Sequence, residues 1–406
     1  MTTAAEPVFN PFEPGFFDNP YRQYAQLREL APVRRTPLGP WSLTRYADIA
    51  RLLRNPTVSV NERHAEGFRP RDQFLTAAGE ERRDRGTHTI LNLDPPDHTR
   101  IRRLVGQAFT PRRIEALEPR IQALVDELLD AVAPSGRSDL IADLAFPLPF
   151  IVISELLGLP AADRDEMREV SHTLVQSLEP LIPPDELPGL VAASDRMTEY
   201  VEAAIEHTRR HPGDDLLSAM IAAEEDGERL SLAELRDQVV LLFVAGHETT
   251  VNLIGNGTLA LLRHPDQLAR LRREPGLIAN GVDELLRYDA PVQFSRRIAL
   301  EPIEIDDQRI EPGAFLFLVL GAANRDPAHF GPTADQLDLG RTDAAQHVSF
   351  GGGIHHCLGA MLARAEARAA IGTLVARFPD VALVDEPPAW NRRLVLRGLD
   401  RLLVTF

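Results

Sequence analysis

The chain has 406 residues, and its 44 basic and 60 acidic side chains give a formal net charge of −16. This negative charge argues against nucleic acid or an anionic membrane as the main partner. The chain contains one cysteine, so no intrachain disulfide can form, as is usual in a reducing compartment.

Targeting and membrane signals are missing from the sequence. No segment has the roughly 18 or more apolar residues of a membrane span, and residues 1–17 lack a basic and then apolar signal-peptide pattern. We therefore expect a soluble, cytoplasmic protein. No linker, low-complexity tract or repeat divides the chain, so we expect a single domain over residues 1–406.

Apolar residues recur at helical spacing along most of the chain. The segments with this pattern are 43–54, 113–132, 161–178, 186–209, 214–224, 231–263, 265–273, 277–288 and 357–377. Alternating strand patterns are shorter, and they lie near 33–43, 292–305, 314–320 and 394–406. The sequence predicts a mainly α (α+β) fold with small β-sheets.

A basic segment follows Asp94. His98 and Arg102 are four residues apart, so they share one face if the segment is helical. Between His98 and Arg113 there are five arginines and no acid. A solvated basic surface would explain these residues equally well.

Segment 231–263 predicts the longest helix. Ser231 and Glu234 form a capping-box pattern, and no helix breaker follows before Pro265. An apolar stretch, 239–244, precedes the sequence AGHETT at 245–250. Such polar residues destabilise a buried helix unless they have partners or a chemical role. The structural alternative is a core kink whose threonines bond carbonyls one turn earlier.

Two further patterns follow the long helix. His247 and Glu248 begin like the zinc-protease pattern His-Glu-x-x-His, but position 251 is Val251, which excludes that interpretation. Glu284 and Arg287 share a helix face three residues apart, and on a surface such a pair would contribute only tenths of a kcal/mol.

The only cysteine, Cys357, lies in the sequence FGGGIHHCLG at 350–359. It precedes the helical pattern that runs to Pro379, and the positive end of a helix favours a thiolate. The glycines allow a flat ligand and backbone N–H groups to approach the sulfur. A metal ligand or a nucleophile is therefore favoured over a buried, inert cysteine.

The cysteine segment resembles the haem-binding loop of the cytochrome P450 monooxygenases. Phe350, Gly353, His355, Cys357 and Gly359 match every defined position of Phe-x-x-Gly-x-His-x-Cys-x-Gly. The resemblance implies the triangular, mainly helical P450 fold. It also implies that haem b lies between the Leu358–Arg377 helix and the 231–263 helix, with Cys357 as its axial thiolate ligand.

The same resemblance assigns other residues to haem. In the family, basic side chains bind the haem propionates and an aromatic ring shields the thiolate. The residues implied to bind the cofactor are His98, Arg102, Arg297, His355, Phe350, Gly351 and Gly359. Glu284 and Arg287 resemble the family's structural Glu-x-x-Arg pair. Its usual third arginine is not evident, because Gln336 and Leu337 stand where basic and aromatic residues are expected, and Arg341 is the nearest candidate.

Residues 245–250 resemble the oxygen-binding kink of the P450 family. The resemblance implies that Ala245 and Gly246 allow haem to approach, that Thr249 supports bound dioxygen and its water, and that Glu248 belongs to a proton relay. By resemblance, the substrate pocket draws on 61–92, the helices of 161–209, Val292–Ser295 and Leu394–Val395. Val240, Phe243 and Val244 are expected to contribute from the long helix.

These features predict a monooxygenase that inserts one atom of O2 into a small apolar organic substrate. The chain has no flavin or iron–sulfur segment, so a separate ferredoxin-type partner is expected to supply electrons to what we expect is a monomer. The alternatives are a peroxide-driven peroxygenase and a non-catalytic haem-thiolate sensor or carrier. A cysteine hydrolase with His355 or His356 as base is a third. The identity of the substrate is not evident from the sequence.

Overall fold

The computed structural model describes residues 7–79, 86–160, 163–224 and 227–406. Within these ranges, helices dominate and strands are short, so the predicted mainly α class is confirmed. The helices are α1 Tyr21–Leu30, α2 Tyr46–Leu52, α3 Arg71–Ala78, α4 Asp97–Ala108, α5 Pro111–Val132, α6 Pro147–Leu156, α7 Arg164–Leu174, α8 Leu187–Arg210, α9 Leu216–Ala222, α10 Leu232–Arg263, α11 Pro265–Arg273, α12 Ile278–Tyr288, α13 Leu320–Ala323, α14 Pro327–Phe330 and α15 Ala360–Arg377.

The strands form four small sheets. They are β1 Val33–Arg35, β2 Trp41–Leu43, β3 Val58–Ser59, β4 Arg137–Asp139, β5 Phe294–Ala299, β6 Ile303–Ile305, β7 Gln308–Ile310, β8 Phe315–Val319, β9 Ala382–Leu383, β10 Ala389–Trp390, β11 Leu399–Arg401 and β12 Leu403–Thr405. The largest sheet has the order β1-β2-β8-β5-β3, and the others are β4-β12-β9, β10-β11 and β6-β7. In the largest sheet, Arg297 pairs with Leu316, which places this arginine on a rigid element.

Helix α10 lies in the middle of the helical core. It packs against α6, α8, α12 and α15, and most of its residues from Thr250 to Leu261 are buried. The predicted capping box is present, because the Ser231 hydroxyl accepts the Glu234 N–H at 3.2 Å while the Glu234 carboxylate accepts the Ser231 N–H at 2.8 Å. The helix ends at Arg263, before Pro265, as the sequence predicts.

Some elements differ from the sequence-based predictions. Helix α6 was not predicted, because most of its residues are apolar and buried, so it has no polar face to reveal a helical period. Helices α1 and α3 were also not predicted. The helix expected to begin at residue 357 begins at Ala360, with Gly359 as its N-cap. The strand expected near 394–406 divides into β11 and β12, which join different sheets.

The Glu284–Arg287 pair is fully buried, and Arg341, which the sequence offered only as the nearest candidate, is its third member. Arg287 Nε donates to Glu284 at 2.7 Å, and Arg341 Nε donates to the same carboxylate at 3.3 Å. Arg287 also donates to the carbonyls of Ala334 and Gln336, at 2.6 and 2.9 Å. Such a buried cluster fixes the segment before the cysteine loop, since each charge would be costly without its partner.

Among the described helices, none is both long enough and apolar enough to cross a membrane.

Candidate active site

A cavity of about 370 Å³ lies between α10 and the segment that precedes α15. Both regions singled out by the sequence contribute to its wall, because Thr249 and Cys357 line the same space. The other sequence-predicted residues that line it are Arg102, Ala245, Gly246, Arg297, Phe350, Gly351, His355 and Gly359.

The cysteine loop is held by short backbone hydrogen bonds. The Cys357 N–H donates to the Phe350 carbonyl at 2.9 Å, and the His356 N–H donates to the Gly353 carbonyl at 3.2 Å. Gly353 has a φ of +64°, and a Cβ atom there would lie 2.5 Å from the Leu53 carbonyl oxygen. Only glycine fits this position, so the loop brings Cys357 to the cavity through a conformation that other residues rarely adopt.

The Cys357 side chain is exposed to the cavity but surrounded by protein. Desolvation by burial raises the pKa of the thiol, while the Gly359 N–H, Arg102 and Arg364 act in the opposite direction. The groups at the helix start do favour the thiolate, as the sequence predicts, but burial acts more strongly in the opposite direction. Burial outweighs the local positive groups, and a bound metal cation would be needed to stabilise the thiolate.

Four predicted cofactor-binding side chains form one basic cluster beside the cavity. The rings of His98 and His355 lie 4.3 Å apart, and neither nitrogen of the buried His98 ring has a hydrogen-bond partner among the described residues. The guanidinium of Arg297 donates to the Ser295 hydroxyl and the Arg296 carbonyl, at 3.0 and 2.7 Å. Arg102 donates to the His356 carbonyl at 2.5 Å.

The pKa values in this basic cluster are lowered more by burial and by neighbouring cations than they are raised by the carboxylate of Asp94. Burial and neighbouring cations lower the pKa of His98 to about 4, of His355 to about 3 and of Arg297 to about 10. Two propionates would supply acceptors and opposite charge to these groups. The residues present therefore fit a flat, doubly anionic cofactor that lies against Cys357.

Phe350 packs beside the cysteine loop, where the guanidinium of Arg364 lies 4.5 Å from the centre of its ring. The ring also lines the cavity on the side of Cys357, where it can limit access of water to the sulfur. Gly351, with a φ of +69°, and Gly359 line the same wall, and neither presents a side chain to the cavity.

The central part of α10 presents two faces. Ala245, Gly246 and Thr249 line the cavity, and the Thr249 hydroxyl donates to the Ala245 carbonyl at 3.1 Å. Glu248 is not part of the cavity wall. Its buried carboxylate instead accepts a hydrogen bond from Arg393 at 2.6 Å.

The substrate-side wall differs from the prediction on α10. Leu241 and Leu242 line the cavity, and the expected Val240, Phe243 and Val244 do not. The ring of Phe243 instead packs against Phe150, with ring centres 5.4 Å apart. An apolar stretch gives no sign of which face is turned to the site, so the periodicity could not decide between neighbouring residues. The predicted contribution of Leu394 is likewise wrong, because Val395 and Leu396 line the cavity in its place.

Two acids, the buried Glu366 and the half-buried Glu179, were not predicted from the sequence. Burial raises the pKa of Glu366 on α15 to about 8, and the Thr250 hydroxyl donates to it. Glu179 lines the cavity and accepts N–H groups of Leu394, Val395 and Leu396 at 2.8 to 3.4 Å. Glu366 is the only acid of α15 and lies between Ala365 and Ala367. A single acid beside small apolar residues could have indicated a buried carboxyl group.

In the described ranges, no three or more His, Cys, Asp or Glu side chains lie together so that they could hold a metal ion. The site therefore offers one sulfur ligand, with the remaining ligands to be supplied by a cofactor.

The family model described as cytochrome P450 matches residues 58–397. The chain belongs to the cytochrome P450 family. It is 43% identical over its whole length to cytochrome P450 107B1 of Saccharopolyspora erythraea, with 99% of that protein covered. It is 44% identical, again over its whole length, to the vitamin D(3) 25-hydroxylase of Pseudonocardia autotrophica, with 98% of that protein covered.

A solved structure supports the same conclusion. Cytochrome P450 PksS of the Bacillus subtilis 168 bacillaene polyketide synthase superposes with a TM-score of 0.88 at 38% identity, covering 98% of this chain and 99% of that one. The protein is thus a cytochrome P450 monooxygenase, an oxidoreductase that incorporates molecular oxygen. Its cofactor is haem b, which the family holds through a cysteine thiolate, and Cys357 is the only cysteine in the chain.

Proposed function

We propose that this P450 inserts one atom of dioxygen into an apolar organic substrate with electrons from a separate ferredoxin. The observation that carries the proposal is the basic cluster of His98, Arg102, Arg297 and His355. Arg102, Arg297 and His355 share a cavity wall with the only cysteine, the His98 ring lies against the His355 ring, and Thr249 lines the same cavity.

In this proposal Cys357 would hold the haem iron through its thiolate, and the basic cluster would bind the haem propionates. When bound, haem supplies the redox chemistry that activates dioxygen. Arg102 and Arg297 can each grip a carboxylate with two hydrogen bonds, and His98 and His355 complete the binding of the propionates. Phe350 shields the sulfur from water, and Gly351 and Gly359 leave room for the flat ring.

The proposed role of Thr249 is to hold a proton at a fixed point of the cavity. Its hydroxyl hydrogen is directed to the Ala245 carbonyl, so its oxygen lone pairs remain available to accept a hydrogen bond from the cavity side. A water held there can pass a proton to the reacting oxygen. Glu248, the neighbouring acid, can relay that proton: once its carboxylate turns from Arg393 toward the cavity, it can accept a proton from bulk water and pass it to the water beside Thr249.

The substrate-side wall favours an apolar substrate. Leu241, Leu242, Phe294 and Val395 line it, and Ala245 and Gly246 leave space beside Thr249. Pockets of this kind bury most of the ligand against apolar side chains, with a few polar groups that orient it. The relatives named as hydroxylases of vitamin D(3) and as part of polyketide biosynthesis support a substrate of natural-product size.

The spectrum of the reduced carbon monoxide adduct tests the role of Cys357. The wild-type protein should show the red-shifted absorption of thiolate-ligated haem, and Cys357→Ser should lose it. A wild-type spectrum in that variant would contradict the assignment. Arg297→Gln should retain the spectral position but bind haem more weakly, because it removes one propionate partner.

A basic surface beside the cysteine loop supports an acidic ferredoxin as the partner. Arg103 and Arg112 are exposed on this surface. Arg100 and Arg113 lie on the same basic segment, where Arg100 pairs with Glu234 and Arg113 donates to Asp214 at 3.4 Å. Exposed Ile354 and Met361 lie close by in sequence to the cysteine. Attraction between an acidic ferredoxin and such a surface speeds the encounter and weakens with salt.

Charge reversal tests this docking surface. Arg103→Glu with Arg112→Glu should raise the ferredoxin concentration needed for half-maximal turnover several-fold at low salt, with substrate binding and haem spectrum unchanged. A matched double variant at exposed positions away from the cysteine loop, Arg209→Glu with Arg210→Glu, is the control. If turnover is insensitive to the first pair and to ionic strength, ferredoxin docks elsewhere.

We also propose that the protein is a cytoplasmic monomer formed by one domain. The net charge of −16 and the single cysteine support this location. Size-exclusion chromatography with light scattering would measure the mass of the particle against 45.0 kDa for one chain.

A further inference from the structure

Charged side chains that do not belong to the basic cluster also line the cavity. Glu62, Arg71 and Arg296 all contribute to its wall. A charged group that is buried in a mainly apolar pocket destabilises the protein unless an opposite charge lies beside it. A charged side chain without such a partner therefore marks a place where a ligand of opposite charge could bind.

Arg296 is well satisfied by protein groups. It lies 3.4 Å from the Glu62 carboxylate, it donates to the Val60 carbonyl at 3.2 Å, and it also donates to the Asn92 side chain. The second carboxylate oxygen of Glu62 accepts the backbone N–H of Arg71 at 3.1 Å. Glu62 and Arg296 therefore form one paired unit in the cavity wall.

Arg71 is the member of this group that forms no ion pair with a described acid, although the charges of Glu62 and Asp237 raise its pKa in part. Its guanidinium donates to the Gly86 carbonyl at 3.3 Å, and within the described ranges no carboxylate lies close enough to form an ion pair with it. Burial and the charge of Arg296 lower the pKa of Arg71 to about 10. An anion beside Arg71 would offset both effects.

The other charges of the cavity are already used. Arg102 and Arg297 belong to the basic cluster that faces Cys357, and Glu179 accepts three backbone N–H groups of residues 394–396. Four arginines of the described chain line the cavity. Arg102 and Arg297 belong to the basic cluster, and Arg296 is paired with Glu62, so Arg71 is the arginine that has no described acid as its partner.

We propose that Arg71 binds the carboxylate of an amphipathic acid whose apolar chain runs along Leu241, Leu242 and Phe294 toward Cys357. This inference rests on the proposed monooxygenase function and names its substrate class. A guanidinium binds a carboxylate with two parallel hydrogen bonds, so it fixes one end of the molecule. The oxidised carbon would then be determined by the length of chain between the carboxylate and the haem.

Binding of a matched pair of ligands to the haem-loaded protein tests the proposal. Tetradecanoic acid and its methyl ester share the apolar chain, and only the acid carries a charge. Isothermal titration calorimetry, alongside the change in haem absorbance, should show that the acid binds at least about tenfold more tightly than the ester. Arg71→Gln should remove this difference and leave ester binding unchanged.

A charge swap and a control variant make the test specific. Arg71→Glu should lose the acid and bind tetradecylamine instead, because the sign of the anchoring group is reversed. Arg63→Gln removes an exposed arginine of the same segment that does not line the cavity, and it should bind the acid as wild type does.

Three outcomes would overturn the assignment of Arg71. They are equal affinity of the wild-type protein for acid and ester, equal weakening of both ligands by Arg71→Gln, and absence of acid binding at any chain length tested. Failure of the underlying function is recognised separately, because it would remove the thiolate-type carbon monoxide spectrum, which does not depend on Arg71.

Discussion

Arg393 donates a hydrogen bond to the Glu248 carboxylate at 2.6 Å, and both side chains are about nine-tenths buried. Arg393 lies in the segment between β10 and β11, whereas Glu248 lies on α10 next to Thr249. The same guanidinium approaches His172 of α7 at 3.4 Å. The ion pair thus connects the acid of the proposed proton relay to two other parts of the chain, away from the cavity.

Removal of Arg393 should destabilise the fold and impair the relay. Arg393→Met keeps an apolar stem but leaves the Glu248 charge buried without its partner, which costs about 3–5 kcal/mol in comparable pairs. We expect a lower free energy of unfolding in urea. The double variant Arg393→Met with Glu248→Gln should recover most of the loss, because no charge is then left unpaired. Equal instability of the single and double variants would contradict this account.

Thr249→Ala should separate oxygen consumption from product formation. Without the hydroxyl, the proton is no longer held in the cavity, so reduced nicotinamide should still be oxidised while peroxide replaces hydroxylated product. We expect the product formed per reduced nicotinamide to fall by about tenfold. The ratio of product to peroxide, measured with any good substrate, reports the effect.

The control for Thr249→Ala is Thr258→Val on the same helix. Thr258 is buried, its hydroxyl has no partner, and it does not line the cavity. The control should therefore keep the wild-type ratio of product to peroxide. If Thr249→Ala kept the wild-type ratio of product to peroxide, the hydroxyl would have no role in proton transfer and would only form its hydrogen bond to the Ala245 carbonyl.

Glu366 should make the stability of the protein depend on pH. Burial raises its pKa in the folded state from 4.5 to about 8. Because the unfolded chain releases this proton at lower pH, the contribution to stability is full below pH 4.5 and is lost as pH rises toward 8. Glu366→Gln removes the titration, so it should gain on the order of 2–4 kcal/mol over wild type between pH 4.5 and pH 8.

Urea unfolding of both haem-loaded proteins at several pH values measures the difference between them. The comparison cancels other titrating groups, which the two proteins share. A difference that is constant with pH would show that Glu366 does not titrate in this window.

Gly353→Ala should weaken the cysteine loop. A left-handed conformation costs a non-glycine residue roughly 1–2 kcal/mol, and the added Cβ would also meet the Leu53 carbonyl. We expect a lower melting temperature and a smaller fraction of haem-loaded protein. Gly276→Ala is the control, since its φ is not positive and no atom lies within 4 Å of the added Cβ. Equal melting temperatures and haem contents for the two variants would contradict the close approach.

The sequence alone predicted the features that depend only on residues close together along the chain. The cysteine loop, the AGHETT segment, the capping box of α10 and the Glu284–Arg287 pair are short patterns in which spacing along the chain fixes geometry. The helix-dominated class followed from apolar periodicity for the same reason. The third member of the buried pair was not decided by the sequence, which offered Arg341 only as the nearest candidate, and the structure shows its contact with Glu284.

The tertiary structure decided everything that depends on which residues meet across the chain. Glu248 looks like part of the cavity in sequence, but the position of Arg393, 145 residues later, turns its carboxylate away. The apolar stretch before it could not show that Leu241 and Leu242 face the cavity while Phe243 faces Phe150. Burial raises the pKa of Cys357 and of Glu366. The sequence could not show this, because desolvation depends on which atoms surround a group in the folded chain.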